Sequence, residues 1–264
     1  MDAGTSLGCA SSSPNPFWRY LTAHDLKHEG KKKLKISGRE LVSVPKQVSG
    51  LDKLQVLEMS PGHESCLRHQ MDLLPHDISH LQHLTCLYMD SNNLKTIPAE
   101  TGPLSHLQRL TLSNNSLNSL SPEMGPLQRL CSFHLPNNSL TKLPASLSQL
   151  RSLILLDVSD NRIGTIPFSI QHLENLESLL LLFNSLESLP KDICLLRNLC
   201  TLWLGNNHAC SPSASFGELM NLHWGCHCYS CNFEGSPLEC HLPEVCSRGS
   251  EKIRGYFLSF CTIC

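Results

Sequence analysis

The chain has 264 residues, 41% of them apolar but only 6% aromatic, so any core that it buries must be mainly aliphatic. Its 21 Lys and Arg against 23 Asp and Glu give a formal net charge of -2, which argues against a nucleic-acid or polyanion partner. The sequence contains neither a transmembrane stretch of about 18 apolar residues nor a secretory signal, which predicts an intracellular, cytoplasmic protein with mostly reduced cysteines.

Two short segments precede the regular part of the sequence. Residues 1–20 are rich in Ser, Pro and Gly and are predicted to be disordered. Residues 21–33 are assigned to an N-terminal cap region. The lysines that end this region, Lys31 to Lys33, are typical of the solvated polar end of a repeat array.

A repeated pattern occupies residues 34–222. Leucines and prolines recur at a spacing of 23 residues, and each unit follows L-x-x-L-x-L-x-x-N-x-L-x-x-[L/I]-P-x-x-[I/L]-x-x-L. This is the leucine-rich repeat pattern, in about eight units. The asparagines of the pattern are Asn92, Asn115, Asn138, Asn161, Asn184 and Asn207.

The pattern predicts the fold. Alternation around L-x-L indicates a short strand with its leucines turned inward, and stacked units then form a parallel sheet because a single unit cannot bury its leucine face. Proline in the second half of each unit disfavours a long helix. We therefore expect an α/β leucine-rich repeat solenoid, with a curved parallel sheet on the concave face and irregular or short helical turns on the convex face. The asparagines should form a structural ladder that pairs buried backbone groups.

The 23-residue unit and its L-P-x-x-[I/L] return resemble the intracellular group that includes the Ras-suppressor protein, the Ras-binding leucine-rich scaffold and the repeat arrays of polarity scaffolds. Ser236-Pro237-Leu238 and the residues after it resemble the closing turn of that group. The resemblance implies a non-catalytic scaffold or adaptor in signalling, without a cofactor, that binds a protein partner on the concave face. No catalytic motif occurs in the sequence, which agrees with this expectation.

The outward residues of the predicted strands change character along the array. The residue between the two core leucines is Tyr88, Thr111, His134, Asp157, Leu180 and Trp203 in successive units. Neighbouring outward positions add Leu155 and Leu182. We predict a partner-binding surface whose residues are Leu155, Leu180, Leu182 and Trp203, with Asp157 and His134 at its rim and a smaller contribution from Tyr88. The alternatives are a tolerated apolar cluster or coverage by the C-terminal tail.

Residues 223–264 are predicted to be a Cys-rich C-terminal cap or tail. The spacing in Cys228-x-x-Cys231 and Cys261-x-x-Cys264 would suit zinc, whereas a decayed repeat with unassociated thiols or a disulfide cap would need no metal. The last four residues fit the loose form of a prenylation box on Cys261. The alternative functions are therefore a zinc-tailed adaptor linked to ubiquitin transfer and a prenyl-anchored scaffold with peripheral membrane association.

Overall fold

The protein is described by a computed structural model in which ten strands form one sheet. The described residues are 21–22, 31–37, 51, 53–61, 70–74, 76–97, 99–208, 219, 221–222, 231–232, 234–235 and 255. The strands follow one another in chain order across the sheet: β1 Leu21–Thr22, β2 Lys33–Ile36, β3 Val56–Met59, β4 Cys86–Tyr88, β5 Arg109–Thr111, β6 Ser132–His134, β7 Leu155–Asp157, β8 Ser178–Leu180, β9 Thr201–Trp203 and β10 Cys231–Asn232.

Each strand pairs with the next in the register that the repeat sets. Leu87 of β4 lies opposite Leu110 of β5, which lies opposite Phe133 of β6. The central residue of every strand from β4 to β9 is fully buried, because alternate residues of a strand point to opposite faces. Each repeat thus places one apolar side chain over the equivalent one in the preceding repeat. This arrangement confirms the predicted solenoid.

Short 3₁₀ helices form the convex side. They span His76–His80, Ala99–Thr101, Pro122–Met124, Ala145–Gln149, Phe168–His172 and Lys191–Leu195. Pro144, Pro167 and Pro190 each precede a helix with φ between -70° and -65°, the value that the proline ring imposes. Ser121 stands where other repeats have proline, and its hydroxyl instead accepts a hydrogen bond from the Glu123 amide at 3.2 Å. Both residue types begin the same turn, by different means.

The two ends of the sheet differ. Strand β1 pairs antiparallel with β2, whereas β2 to β10 all run parallel. At the other end Cys231 lies opposite Leu202 of β9, and the Asn206 amide donates to the Glu234 carbonyl at 2.6 Å. The sheet therefore continues by one strand beyond residue 222, where the repeat pattern has ended.

Candidate functional site on the concave face

The register gathers the outward residues into one row, here called the central row. It consists of Glu58, Tyr88, Thr111, His134, Asp157, Leu180 and Trp203, each directly opposite the next. Adjacent strands lie about 4.7–4.9 Å apart, so four of the predicted site residues, from His134 to Trp203, are immediate neighbours. Tyr88 is separated from this group by Thr111.

An apolar patch lies at the C-terminal end of this row. We define it as Leu180, Leu182, Phe183 and Trp203. Leu180 and Trp203 are directly paired, and both are partly exposed, as is Leu182 two residues beyond Leu180. Leu155 lies opposite Ser132 and Ser178, so it meets the patch only diagonally, one strand and two residues away from Leu180.

Phe183 combines exposure with an unfavourable backbone conformation. Its side chain is 55% exposed, and its φ is 52°. The five equivalent positions in other repeats also have positive φ, but they carry Ser91, Asn114, Asn137, Asp160 and Asn206. Asn and Asp tolerate this left-handed region, whereas for a bulky residue it is strained. Backbone bonds impose the conformation, because the Phe183 amide donates to Gly205 O at 3.0 Å and its carbonyl accepts from Asn161 N at 3.2 Å.

Asp157 supplies the negative charge beside the patch. Its Oδ1 accepts a hydrogen bond from the Ser159 amide at 3.1 Å, and its Oδ2 lies 3.9 Å from Nδ1 of His134. Burial raises the pKa of Asp157, but the His134 ring and the Ser159 amide outweigh it and hold this pKa below its ordinary value. The carboxylate is therefore ionised at neutral pH.

The N-terminal part of the concave face is polar, and its polar groups are paired with one another. The Glu58 carboxylate lies 2.8 Å from the Lys33 ammonium and 2.7 Å from that of Lys35. Burial raises the pKa of Glu58, but the two lysines lower it below its ordinary value. In the next repeat, burial raises the pKa of Tyr88, and the Arg109 guanidinium beside it offsets only part of that effect.

The asparagine ladder runs along one edge of the sheet. In Asn138, Oδ1 accepts from the Leu117 amide at 3.0 Å, while Nδ2 donates to the carbonyls of Leu112 at 2.9 Å and Leu135 at 3.0 Å. Each ladder asparagine makes the equivalent bonds to an amide 21 residues earlier and to carbonyls 3 and 26 residues earlier, except that the distant carbonyl of Asn92 is Met59 O, 33 residues earlier. The ladder therefore ties each repeat to the preceding one.

Sequence reasoning missed a second, exposed set of asparagines. Nδ2 of Asn175 donates to Arg151 O at 2.8 Å, and Nδ2 of Asn198 donates to Glu174 O at 2.8 Å. Asn221 bonds Arg197 O in the same way. These three residues also recur every 23 positions, so the signal for them was present in the sequence.

The predicted metal and lipidation sites fall almost entirely outside the described residues. Cys228, Cys261 and Cys264 lie there, and of Cys231 only the backbone position at the start of β10 is described. Within the described part of the chain, Cys86, Cys131, Cys194 and Cys200 are not in disulfide bonds. The same part brings no three His, Cys, Asp or Glu side chains together as metal ligands. The zinc and prenylation hypotheses stay predictions.

The described residues also include no helix with the length and apolar character needed to cross a membrane.

Similarity to known proteins agrees with this architecture. The family described as Leucine rich repeat matches residues 82–125 and 105–163, which contain four of the six ladder asparagines, Asn92 to Asn161. The matched residues therefore carry leucine-rich repeats, which agrees with the observed solenoid fold. None of the curated proteins matches its sequence.

Solved leucine-rich repeat structures resemble the protein over most of its length. An LRR protein of Leptospira interrogans is 34% identical, with a TM-score of 0.70 over 77% of this chain and 49% of its own. The structure of the plant peptide hormone receptor RGFR1 in complex with RGF2 is 26% identical, with a TM-score of 0.58 over 76% and 30%. An internalin (inlF) from Listeria monocytogenes, at 20% identity and a TM-score of 0.59 over 72% and 51%, shares the fold alone. The chain spans about half or less of these structures.

Proposed function

We propose that this leucine-rich repeat protein is a non-catalytic interaction module that binds a protein partner on the C-terminal half of its concave face. The binding residues in this proposal are Leu155, Leu180, Leu182 and Trp203, with Asp157 and His134 at the rim and Tyr88 as a weaker, separate contact. The observation that carries the proposal is the apolar patch, because contiguous apolar side chains beside a charge have the composition of an interface centre.

The comparison of Phe183 with its counterparts supports a role for the patch. An exposed phenylalanine gains little from burial, and its backbone is in a region that the other repeats fill with Ser, Asn or Asp. Neither packing nor backbone preference explains this residue. Strained residues of this kind are concentrated at functional sites, and binding would explain its presence here.

A known interaction of a similar protein also supports the proposal. The plant structure described above is a complex of a peptide hormone receptor with RGF2, and this chain matches 30% of that receptor chain. The fold is thus compatible with recognition of a polypeptide. Fold alone does not specify the partner, since the exposed residues select it.

The cellular role belongs to the same proposal. We infer a scaffold or adaptor in the cytoplasm, of the kind that the resemblance to the Ras-suppressor group implies. The zinc-tailed and prenyl-anchored alternatives depend on cysteines outside the described residues, so they would be tested by metal analysis of the full chain and by membrane partition of a Cys261→Ser variant.

The test is affinity capture with a variant that alters the patch. We expect Leu180→Glu combined with Trp203→Ala to abolish capture of the partners that the wild-type chain retains, measured by quantitative mass spectrometry. Tyr88→Ala, in the polar half of the same row, should weaken capture much less. Circular dichroism and thermal melting should match the wild type. A folded double variant that retains the full set of partners would contradict the proposed site.

A further inference from the structure

Three acidic side chains lie on the concave face from β2 to β9, counting these strands and the two positions after each: Glu58, Asp90 and Asp157. Both oxygens of Glu58 are taken by lysines. Both oxygens of Asp90 are also taken, since Oδ2 accepts from the Thr111 hydroxyl at 2.8 Å and Oδ1 from the Ser113 amide at 2.7 Å. All four oxygens of these two carboxylates therefore have partners within the protein.

Asp157 differs from both. The Ser159 amide lies within hydrogen-bond distance of Oδ1, whereas Nδ1 of His134 is 3.9 Å from Oδ2, beyond that distance. Its side chain is only 16% exposed. A partly buried, ionised carboxylate with one oxygen available for a stronger donor is a good receptor for a ligand cation.

The distribution of basic residues favours a cation at this end of the face. Over the same strand positions, the described Lys and Arg residues are Lys33, Lys35 and Arg109, all on β2 to β5. The described positions of β6 to β9 carry none. A ligand cation at Asp157 would thus meet no Lys or Arg from these strands, and the exposed Asp160 three residues later adds attraction.

The row also fixes a spacing. Asp157, Leu180 and Trp203 lie on consecutive strands, so Asp157 is about 5 Å from Leu180 and about 10 Å from Trp203 along the row. Side chains two residues apart on one face of an extended peptide are about 7 Å apart, a distance between the separations of Asp157 from Leu180 and from Trp203. We propose that the site takes an extended peptide segment in which a Lys or Arg lies two residues from an aliphatic or aromatic side chain, with the cation on Asp157 and the apolar group on the patch.

This inference rests on the proposed function and names the chemistry of the partner. Its test is selection of random dodecapeptides, displayed on phage, against the full chain. Selected peptides should show a basic residue two positions from an apolar one, in either order. Against Asp157→Asn the apolar preference should persist and the basic preference should disappear, and synthetic selected peptides should bind that variant about tenfold more weakly.

Matched variants distinguish a wrong binding face from a wrong ligand chemistry. Glu58→Gln removes an acid from the same row and should leave the selection unchanged. If Leu180→Glu with Trp203→Ala does not alter the selection, the proposed binding face is wrong. If that variant abolishes selection but Asp157→Asn keeps the basic preference, or if the selected peptides are acidic, only the ligand chemistry is wrong. If the wild-type chain selects no peptide, the proposal of an extended peptide ligand is overturned, and the affinity capture described above tests the binding face separately. Self-association of the wild-type chain that Asp157→Asn abolishes would assign the surface to a second copy and overturn the proposal.

Discussion

The two halves of the concave face share one backbone and differ in how their side chains are used. From β2 to β5 the acidic groups have partners within the fold. Glu58 pairs with two lysines, and Asp90 accepts hydrogen bonds from Thr111 and Ser113. From β7 to β9 the outward positions include Leu155, Leu180, Leu182 and Trp203, and Oδ2 of Asp157 lies 3.9 Å from Nδ1 of His134, beyond hydrogen-bond distance. We propose on this basis that the first half contributes to stability and the second to recognition.

Phe183 shows the same contrast within a single column of the array. Its counterparts, such as Asn114 and Asn137, suit the left-handed backbone and bond each other, with Asn137 Nδ2 donating to Asn114 Oδ1 at 2.7 Å. The phenylalanine side chain neither suits this backbone conformation nor can form such a hydrogen bond. In a repeat protein, equivalent positions can be compared directly. A residue that differs from its equivalents and strains the backbone calls for an explanation other than stability.

The largest effect expected from the structural residues is that of Asn138→Ala. This substitution leaves the buried Leu117 amide without its partner and removes one of the two asparagine donors from each of the Leu112 and Leu135 carbonyls, which should lower the free energy of unfolding by about 1–3 kcal/mol. Asn175→Ala is the control, since that exposed asparagine makes a single bond to Arg151 O and should cost less than about 0.5 kcal/mol. Urea unfolding measures both. Equal losses would contradict the buried role of the ladder.

A smaller effect is expected from Glu58→Gln, which tests the polar half. Loss of the two lysine contacts should lower stability by about 1 kcal/mol at neutral pH. Because the folded state lowers the pKa of Glu58, its contribution is present above the ordinary carboxyl pKa and is lost as the pH falls through the lowered value. The difference between wild type and variant should therefore disappear in acid. A difference that persists well below that value would show that the charges are not the cause.

Much of the fold could be predicted from the sequence, because the 23-residue spacing determines which residues stack. It identified the ladder asparagines and the central row that contains His134, Asp157 and Leu180. The spacing does not reveal φ angles, so the strain at Phe183 became evident only from the backbone. The available oxygen of Asp157 depends on side-chain distances, and β10 lies where the repeat pattern has already ended.

The most direct test of the central claim, that the C-terminal half of the concave face is retained for binding, is Phe183→Asn measured for stability and binding together. Asn suits a φ of 52°, so the free energy of unfolding should rise by about 1 kcal/mol, while affinity for peptides selected on the wild-type chain should fall. Phe168→Asn is the control, because Phe168 is 70% exposed at the start of a convex 3₁₀ helix and should change neither quantity appreciably. A Phe183→Asn protein that binds as well as the wild type, or that is less stable, would contradict the account.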